Sequence, residues 1–195
     1  MSIRTYYHDS PPGVISLPHD SLPPAPSDRM AALGWQFWML SGDNIEKQAA
    51  KIAIQAGYTR PTDKFTMSAA DTIESTDSES IESKARMAVK LWASKDHYTP
   101  TASCVGLIIA GKAHLDMEDP IENKWIRVIL TSGVLIHMPQ GAHMRVAFED
   151  PDGYLDALGW FNENVPPSDI DWVKAEDTHN HPVRVNYLDG LGTRR

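Results

Sequence analysis

A mainly β domain, a sandwich or barrel with two or three helices outside it, is the fold class this sequence predicts. Three observations lead there. From residue 97 to 161, short runs rich in Val, Ile and Leu follow one another. Gly, Pro and Asp punctuate those runs at turn spacing. Helical periodicity is confined to the residues before 94.

Residues 3–7 alternate and are aromatic, which predicts a first strand. Residues 9–26 carry six prolines, which fix φ and remove donors, so an extended arm is expected. A short helix is predicted over 28–33, stopped by Gly34, and a strand over 35–40. Asp43 and Glu46 form a capping-box pattern opening a helix through Gln55, with Ala49, Ile52, Ala53 and Ala56 on one face and Gly57 as its cap. Residues 68–75 and 79–93 are further helix candidates. Strands follow over 104–117, 125–130, 134–138, 144–148 and 154–161. A polar tail spans 162–195, with one possible strand at 183–188. The whole of 1–195 reads as one domain.

Composition narrows the function classes. The chain is 42% hydrophobic and 23% charged, with a formal net charge of −8. Nucleic-acid binding needs clustered Lys and Arg, and Arg194-Arg195 is too short a run. Cys104 is the single cysteine, so neither an intrachain disulfide nor a Cys-based zinc site can form. No apolar run approaches the length that spans a bilayer. These features predict a soluble, cytoplasmic protein without nucleic-acid or membrane partners. They leave its oligomeric state open.

Two signatures carry a family resemblance. Gly133 is followed, after five residues, by Pro139-Gln140-Gly141, with Met144 three positions further on. This resembles the second cupin signature, whose metal-binding His would fall on Met144. Counting back from Gly111, the first signature's Glu falls on Cys104 and its two His on Tyr98 and Pro100. Arg4-Thr5-Tyr6-Tyr7-His8-Asp9, the Pro-rich arm, Leu33-Gly34 leading into Trp38-Met39-Leu40, and Trp125-Ile126-Arg127-Val128 are similar to the acireductone dioxygenases in particular, over roughly residues 3–161. The resemblance implies a cupin fold, a double-stranded β-helix or jelly-roll barrel with two or three peripheral helices. It also implies a family reaction, oxidation of an acireductone at Fe or Ni held by three His and one Glu. Carried over, those ligands fall on Tyr98, Pro100, Cys104 and Met144. Gly106 stands for the Arg after the ligand Glu, and Ala110 for an acidic residue before the barrel glycine. Proline has no donor atom, and Met and a protonated Cys suit Fe(II) or Ni(II) poorly. No metal or other cofactor is therefore expected.

The expected site is the barrel interior. Tyr98, Pro100, Ala102 and Cys104 share a face if their segment is extended. One reading is a metal-independent enzyme catalysing cyclisation, dehydration, isomerisation or decarboxylation of a small-molecule substrate. Tyr98, His137 and His143 would transfer protons, and Cys104, Met144, Pro100, Gly106 and Trp160 would form the wall. A second reading is a non-catalytic binding or interaction protein, with Cys104 and Met144 as adaptable side chains plugging the cavity. A third is a metalloenzyme with relocated ligands among His97, His114, His137 and His143. His179 and His181 flank Asn180 in the tail and are read as a mobile or surface loop. Trp35, Phe37, Trp38, Trp125 and Trp160 are read as core or pocket wall, and the acidic run 74–82 as a solvated loop.

Overall fold

The structure is a computed structural model, and it describes residues 3–8, 24–62, 64–68, 97–150 and 152–193. The helix expected at 79–93, the acidic run 74–82 and most of the Pro-rich arm lie outside the described residues.

The described strands pair antiparallel around one long central strand. They are β1 (Thr5–His8), β2 (Gln36–Met39), β3 (Arg60–Pro61), β4 (Phe65–Ser68), β5 (Tyr98–Pro100), β6 (Cys104–Asp119), β7 (Lys124–Thr131), β8 (Val134–Met138), β9 (Met144–Ala147), β10 (Tyr154–Phe161) and β11 (Trp172–Lys174). The first half of β6 pairs with β8 and β10, and its second half with β7 and β9. One strand thus serves both sheets of the barrel. One sheet runs β1-β7-β6-β9-β5-β11, and in the other β2 joins β8 while β3 and β4 join β10. This is the mainly β cupin barrel that the sequence predicts.

A bulge sets which side chains face inward. Opposite β10, Asp156 pairs with Ala110 while Ala157 pairs with Ile108, so Ile109 is the extra residue. Side chains alternate along a strand, and one extra residue reverses the alternation. Cys104, Gly106 and Ile108 therefore face the interior before the bulge, and Leu115 faces it after. The same reversal turns His114 and Asp116 to the opposite face.

The main core lies between the sheets, with Leu115, Met117, Ile126, Val128, Leu130, Ile136, Met144 and Val146 all buried. A second cluster joins α2 (Ile45–Gln55) to the outer face of the other sheet, through Ala49, Ala53, Val105, Leu107, Leu135 and Trp160. Each fully buried Leu there contributes on the order of 1.5–3 kcal/mol. The small Ala49 and Ala53 let the helix approach closely. Gly57, at φ +88°, ends α2 in a Schellman turn, its N–H donating to Ile54 and that of Tyr58 to Ala53. The capping box does not form. Asn44 is the N-cap without a side-chain bond, and Glu46 instead pairs with Lys64 at 2.7 Å.

Other expectations are corrected. Ser68, expected to begin a helix, ends β4 instead, because residues 65–68 pair with 154–157 of β10. The rest of that helix candidate, 69–75, lies outside the described residues. The strand expected at 183–188 is helix α3 (Pro182–Gly190), and the short α1 covers Ser27–Ala32. Val183 and Val185 alternate as in a strand, but tertiary partners recur at helical spacing. Arg184 donates to Gly141 O at 3.0 Å, and Tyr187 Oη donates to Leu33 O at 3.0 Å. Pro182 at the first turn and His181, whose ring accepts from Val183 N–H, start that helix. The tail is therefore docked, not loose: β11 adds to a sheet edge and α3 packs on the barrel. Among the described residues, no helix is long and apolar enough to cross a membrane.

Candidate functional site

Between the two sheets lies an interior cavity of about 40 Å³. Cys104, Gly106 and Ile108 of β6 line it at alternate positions, together with Met138 of β8, Met144 of β9, Phe161 of β10 and Trp172 of β11. Its volume exceeds the roughly 10–15 Å³ that one water needs. A water also needs polar partners, and this wall offers few. Apart from Cys104, Thr62 and the Trp172 indole, every lining side chain is a hydrocarbon, a thioether or a glycine. The Thr62 hydroxyl already accepts from Gly159 N–H at 3.0 Å.

Cys104 is 3% exposed, and burial pushes its thiol up to about 12. A thiol so placed stays protonated and is a poor nucleophile and metal ligand. Ellman's reagent at pH 8 is therefore predicted to leave the native protein unlabelled over the time in which urea-unfolded protein reacts fully. Rapid stoichiometric labelling of the folded protein would place the thiol at an accessible surface and sink this assignment.

Of the four positions on which the resemblance places the family's ligands, Cys104 and Met144 face the cavity. Tyr98 is fully buried in the same core, paired with Met144 across β5 and β9, but it does not line the cavity. Pro100 is buried and sits opposite Trp172 in the β5–β11 pairing, and of the two only Trp172 lines the cavity. The signature glycines Gly111, Gly133 and Gly141 all adopt positive φ, so the turns of both signatures persist.

The expected catalytic trio does not assemble. His137 alternates with the inward Ile136 and Met138 and so points outward, and its ring binds Tyr58 and Gly34. His143 precedes Met144 and points to the other side of its strand, where Nε2 lies 2.9 Å from Thr178 Oγ1 and Nδ1 lies 3.3 Å from Glu118. Trp160 likewise faces outward, into the α2 cluster. Pro100 and Trp160 are thus corrected as cavity wall, and Tyr98, His137 and His143 as cavity acids or bases. Cys104, Gly106 and Met144 line the cavity.

The four histidines considered as relocated ligands are equally dispersed. His97 stacks on Trp125 at 4.4 Å and lies 3.1 Å from Arg145 Nη1, while His114 Nε2 lies 2.6 Å from Glu149 Oε1. Burial pulls the imidazoles of His97, His114 and His137 below their ordinary value, which favours the neutral rings. Among the described residues, no group of three or more His, Cys, Asp or Glu comes together in a way that could hold a metal ion. His181 caps α3, so the His179–His181 pair belongs to a structured turn.

Two features of the site have no place among the sequence-based expectations. One is a buried ion cluster on the face away from the cavity. Arg127 Nη2 and Arg145 Nε donate to Asp116 Oδ2 at 2.8 and 2.7 Å, and Arg127 Nε to Oδ1 at 2.5 Å. The other is the pairing of Tyr58 with His137, 79 residues apart in sequence. The alternation around Arg127 hints at the first. No local signal announces the second.

Several curated proteins resemble this chain over nearly its whole length. Acireductone dioxygenase 1 of Coprinopsis cinerea is 26% identical over 190 residues, spanning 97% of this chain and 98% of that protein. The acireductone dioxygenase of Emericella nidulans is 28% identical over 189 residues, spanning 97% and 96%. Acireductone dioxygenase 2 of Arabidopsis thaliana is 28% identical over 195 residues, spanning 97% and 91%. Among solved structures, an acireductone dioxygenase from Bacillus anthracis with a cadmium ion in its active centre superposes with a TM-score of 0.54 at 15% identity, covering 83% of this chain and 94% of that one. No protein-family model matches the chain.

Proposed function

We propose that this chain, which resembles acireductone dioxygenases at 26–28% identity over nearly its whole length, is a member of that family without its metal centre, whose barrel binds a small apolar molecule instead of oxidising an acireductone. One observation carries the reading. At the positions matching the family's ligands, the chain places a buried phenol, a proline, a neutral thiol and a thioether, and the cavity beside them is almost wholly apolar. Fe(II) or Ni(II) in such a fold requires imidazole and carboxylate donors, and this donor set does not fit.

A metal-independent lyase or isomerase in the barrel would need acid–base groups facing the substrate. Tyr98 does not line the cavity, and His137 and His143 point away from it. The enclosed apolar cavity therefore favours a binding protein over an enzyme at this site. A dry, apolar void takes up hydrocarbon ligands because its walls lack contact partners until it is filled.

The test has two arms. Protein challenged with Fe(II) and Ni(II) and then desalted is expected to retain far less than one metal ion per chain by elemental analysis. Near-stoichiometric retention would overturn the proposal. Xenon under pressure, an apolar probe of about the cavity's size, is expected to raise the melting temperature saturably, and Ala157→Leu, which fills the cavity from β10, to abolish that rise. A rise that persists in the filled variant would place the ligand elsewhere.

A further inference from the structure

An open cleft of about 530 Å³ lies outside the barrel, between the end of α1, the 139–141 turn, the 162–165 loop and α3. Its volume falls within the roughly 300–1,000 Å³ of small-molecule sites. None of its lining residues is charged, although the chain as a whole carries a formal −8. Leu33, Pro139, Val165 and Leu191 give it apolar patches, and Tyr58, Ser103, Gln140, Asn162 and Asn186 give it polar ones.

At one wall, a phenol is held in a fixed orientation. The Gly34 carbonyl can only accept, so His137 Nδ1 carries the proton and donates to it at 3.0 Å. His137 Nε2 is then an acceptor and takes the Tyr58 O–H at 2.7 Å. With its own proton committed, Tyr58 Oη can only accept, from the neighbouring Ser103 hydroxyl and from a ligand. Burial lowers the imidazole and raises the phenol, so the proton rests on Tyr58 and the pair stays neutral. The Ser103 hydroxyl beside it accepts from Gln140 N–H at 3.0 Å. The Asn162 side-chain oxygen accepts from Asn164 N–H at 2.9 Å, which leaves its NH₂ group to donate. The exposed amide of Asn186 adds both a donor and an acceptor.

A half-buried, pre-oriented acceptor surrounded by amides and apolar patches, with no ion to offer, selects against charged ligands. A charged group would lose water here and find no counter-charge. We propose that this cleft is a second small-molecule site, taking an uncharged ligand rich in hydroxyl or amide groups, one of whose hydroxyls donates to Tyr58 Oη while Asn162 and Asn186 bind its acceptors. The site is independent of the barrel cavity, which lies on the other side of β8.

The probes are N-acetylglucosamine and myo-inositol as neutral ligands, with protonated glucosamine and glucuronate as charged ones, titrated by saturation-transfer difference NMR. At least one neutral probe is expected to bind saturably, with a dissociation constant on the order of millimolar. Both charged probes are expected to bind about fivefold or more weakly. Tyr58→Phe and Asn186→Ala are each expected to weaken the neutral probe about 2- to 10-fold, the loss of one neutral hydrogen bond. Asn186 is exposed, so its variant stays folded even if Tyr58→Phe does not. Ala157→Leu should leave this binding unchanged, which separates the cleft from the barrel. Absence of saturable binding by both neutral probes, equal binding of the charged ones, or unchanged affinity in both cleft variants overturns the proposal.

Discussion

Asp116→Ala is expected to lower the unfolding free energy by about 3–5 kcal/mol, because it strips the counter-charge from two buried guanidinium groups. Asp116 and Arg127 are fully buried and Arg145 is 4% exposed. Three hydrogen bonds of 2.5–2.8 Å bind them. In a chain of 195 residues that loss corresponds to a fall in melting temperature of roughly 6–20 °C. Urea unfolding measures it directly, and a loss under about 1 kcal/mol would mean that the cluster is solvated in solution. Arg145→Ala should cost less, since Asp116 keeps both bonds from Arg127.

The same cluster sets an acid limit on stability. Burial alone would raise the Asp116 carboxyl, but the hydrogen bonds and charges of Arg127 and Arg145 outweigh it and hold the group below the usual Asp range. A carboxyl depressed in the folded state stabilises above its unfolded value, near pH 4, and loses that contribution as pH falls through the folded value. The wild-type protein should therefore lose stability below about pH 4, and Asp116→Asn should flatten part of that dependence.

Gly111→Ala is the second large effect, with an expected cost of about 3 kcal/mol or more. Gly111 has φ +85°, and an added Cβ would sit 2.0 Å from the Tyr154 carbonyl oxygen of the neighbouring strand. The backbone there cannot yield without parting β6 from β10, the two strands that close the barrel wall. Gly42→Ala is the control. It shares a positive φ, +88°, but meets nothing within 4 Å, so it should cost only about 1 kcal/mol. Equal losses in the two variants would show that φ alone matters and that the strand contact is soft.

The signature glycines are legible in the sequence because their requirement is local. A turn that needs positive φ demands glycine whatever packs around it, and Gly111, Gly133 and Gly141 all meet that demand. The strands from 104 to 161 are legible for a similar reason, since alternation and turn residues are local signals. So is α2, through the spacing of Ala49 and Ala53 and the cap at Gly57.

The site is legible only in part. Cys104, Gly106 and Met144 line the cavity, and each can be found in the sequence by its spacing from a signature glycine. The outward orientation of His137 and His143 follows from strand parity relative to Met138 and Met144, but parity becomes decisive only once those methionines are known to face the cavity. Helix α3 reads as a strand because its Val183 and Val185 alternate, whereas its contacts through Arg184 and Tyr187 are made to residues more than 40 positions away.

By itself, then, the sequence determined the barrel strands, their turns, the likeness to acireductone dioxygenases and the residue types at the positions matching that family's ligands, because those follow from residue type at fixed local spacing. Only the tertiary structure decided that Trp172 closes the cavity wall, that Asp116 joins two arginines on the far face, and that Tyr58 meets His137 at an outer cleft. These are meetings between residues distant in the chain: the bulge at Ile109 turns Asp116 away from the cavity, the docked C-terminal tail brings in Trp172, and Tyr58 lies 79 residues from His137.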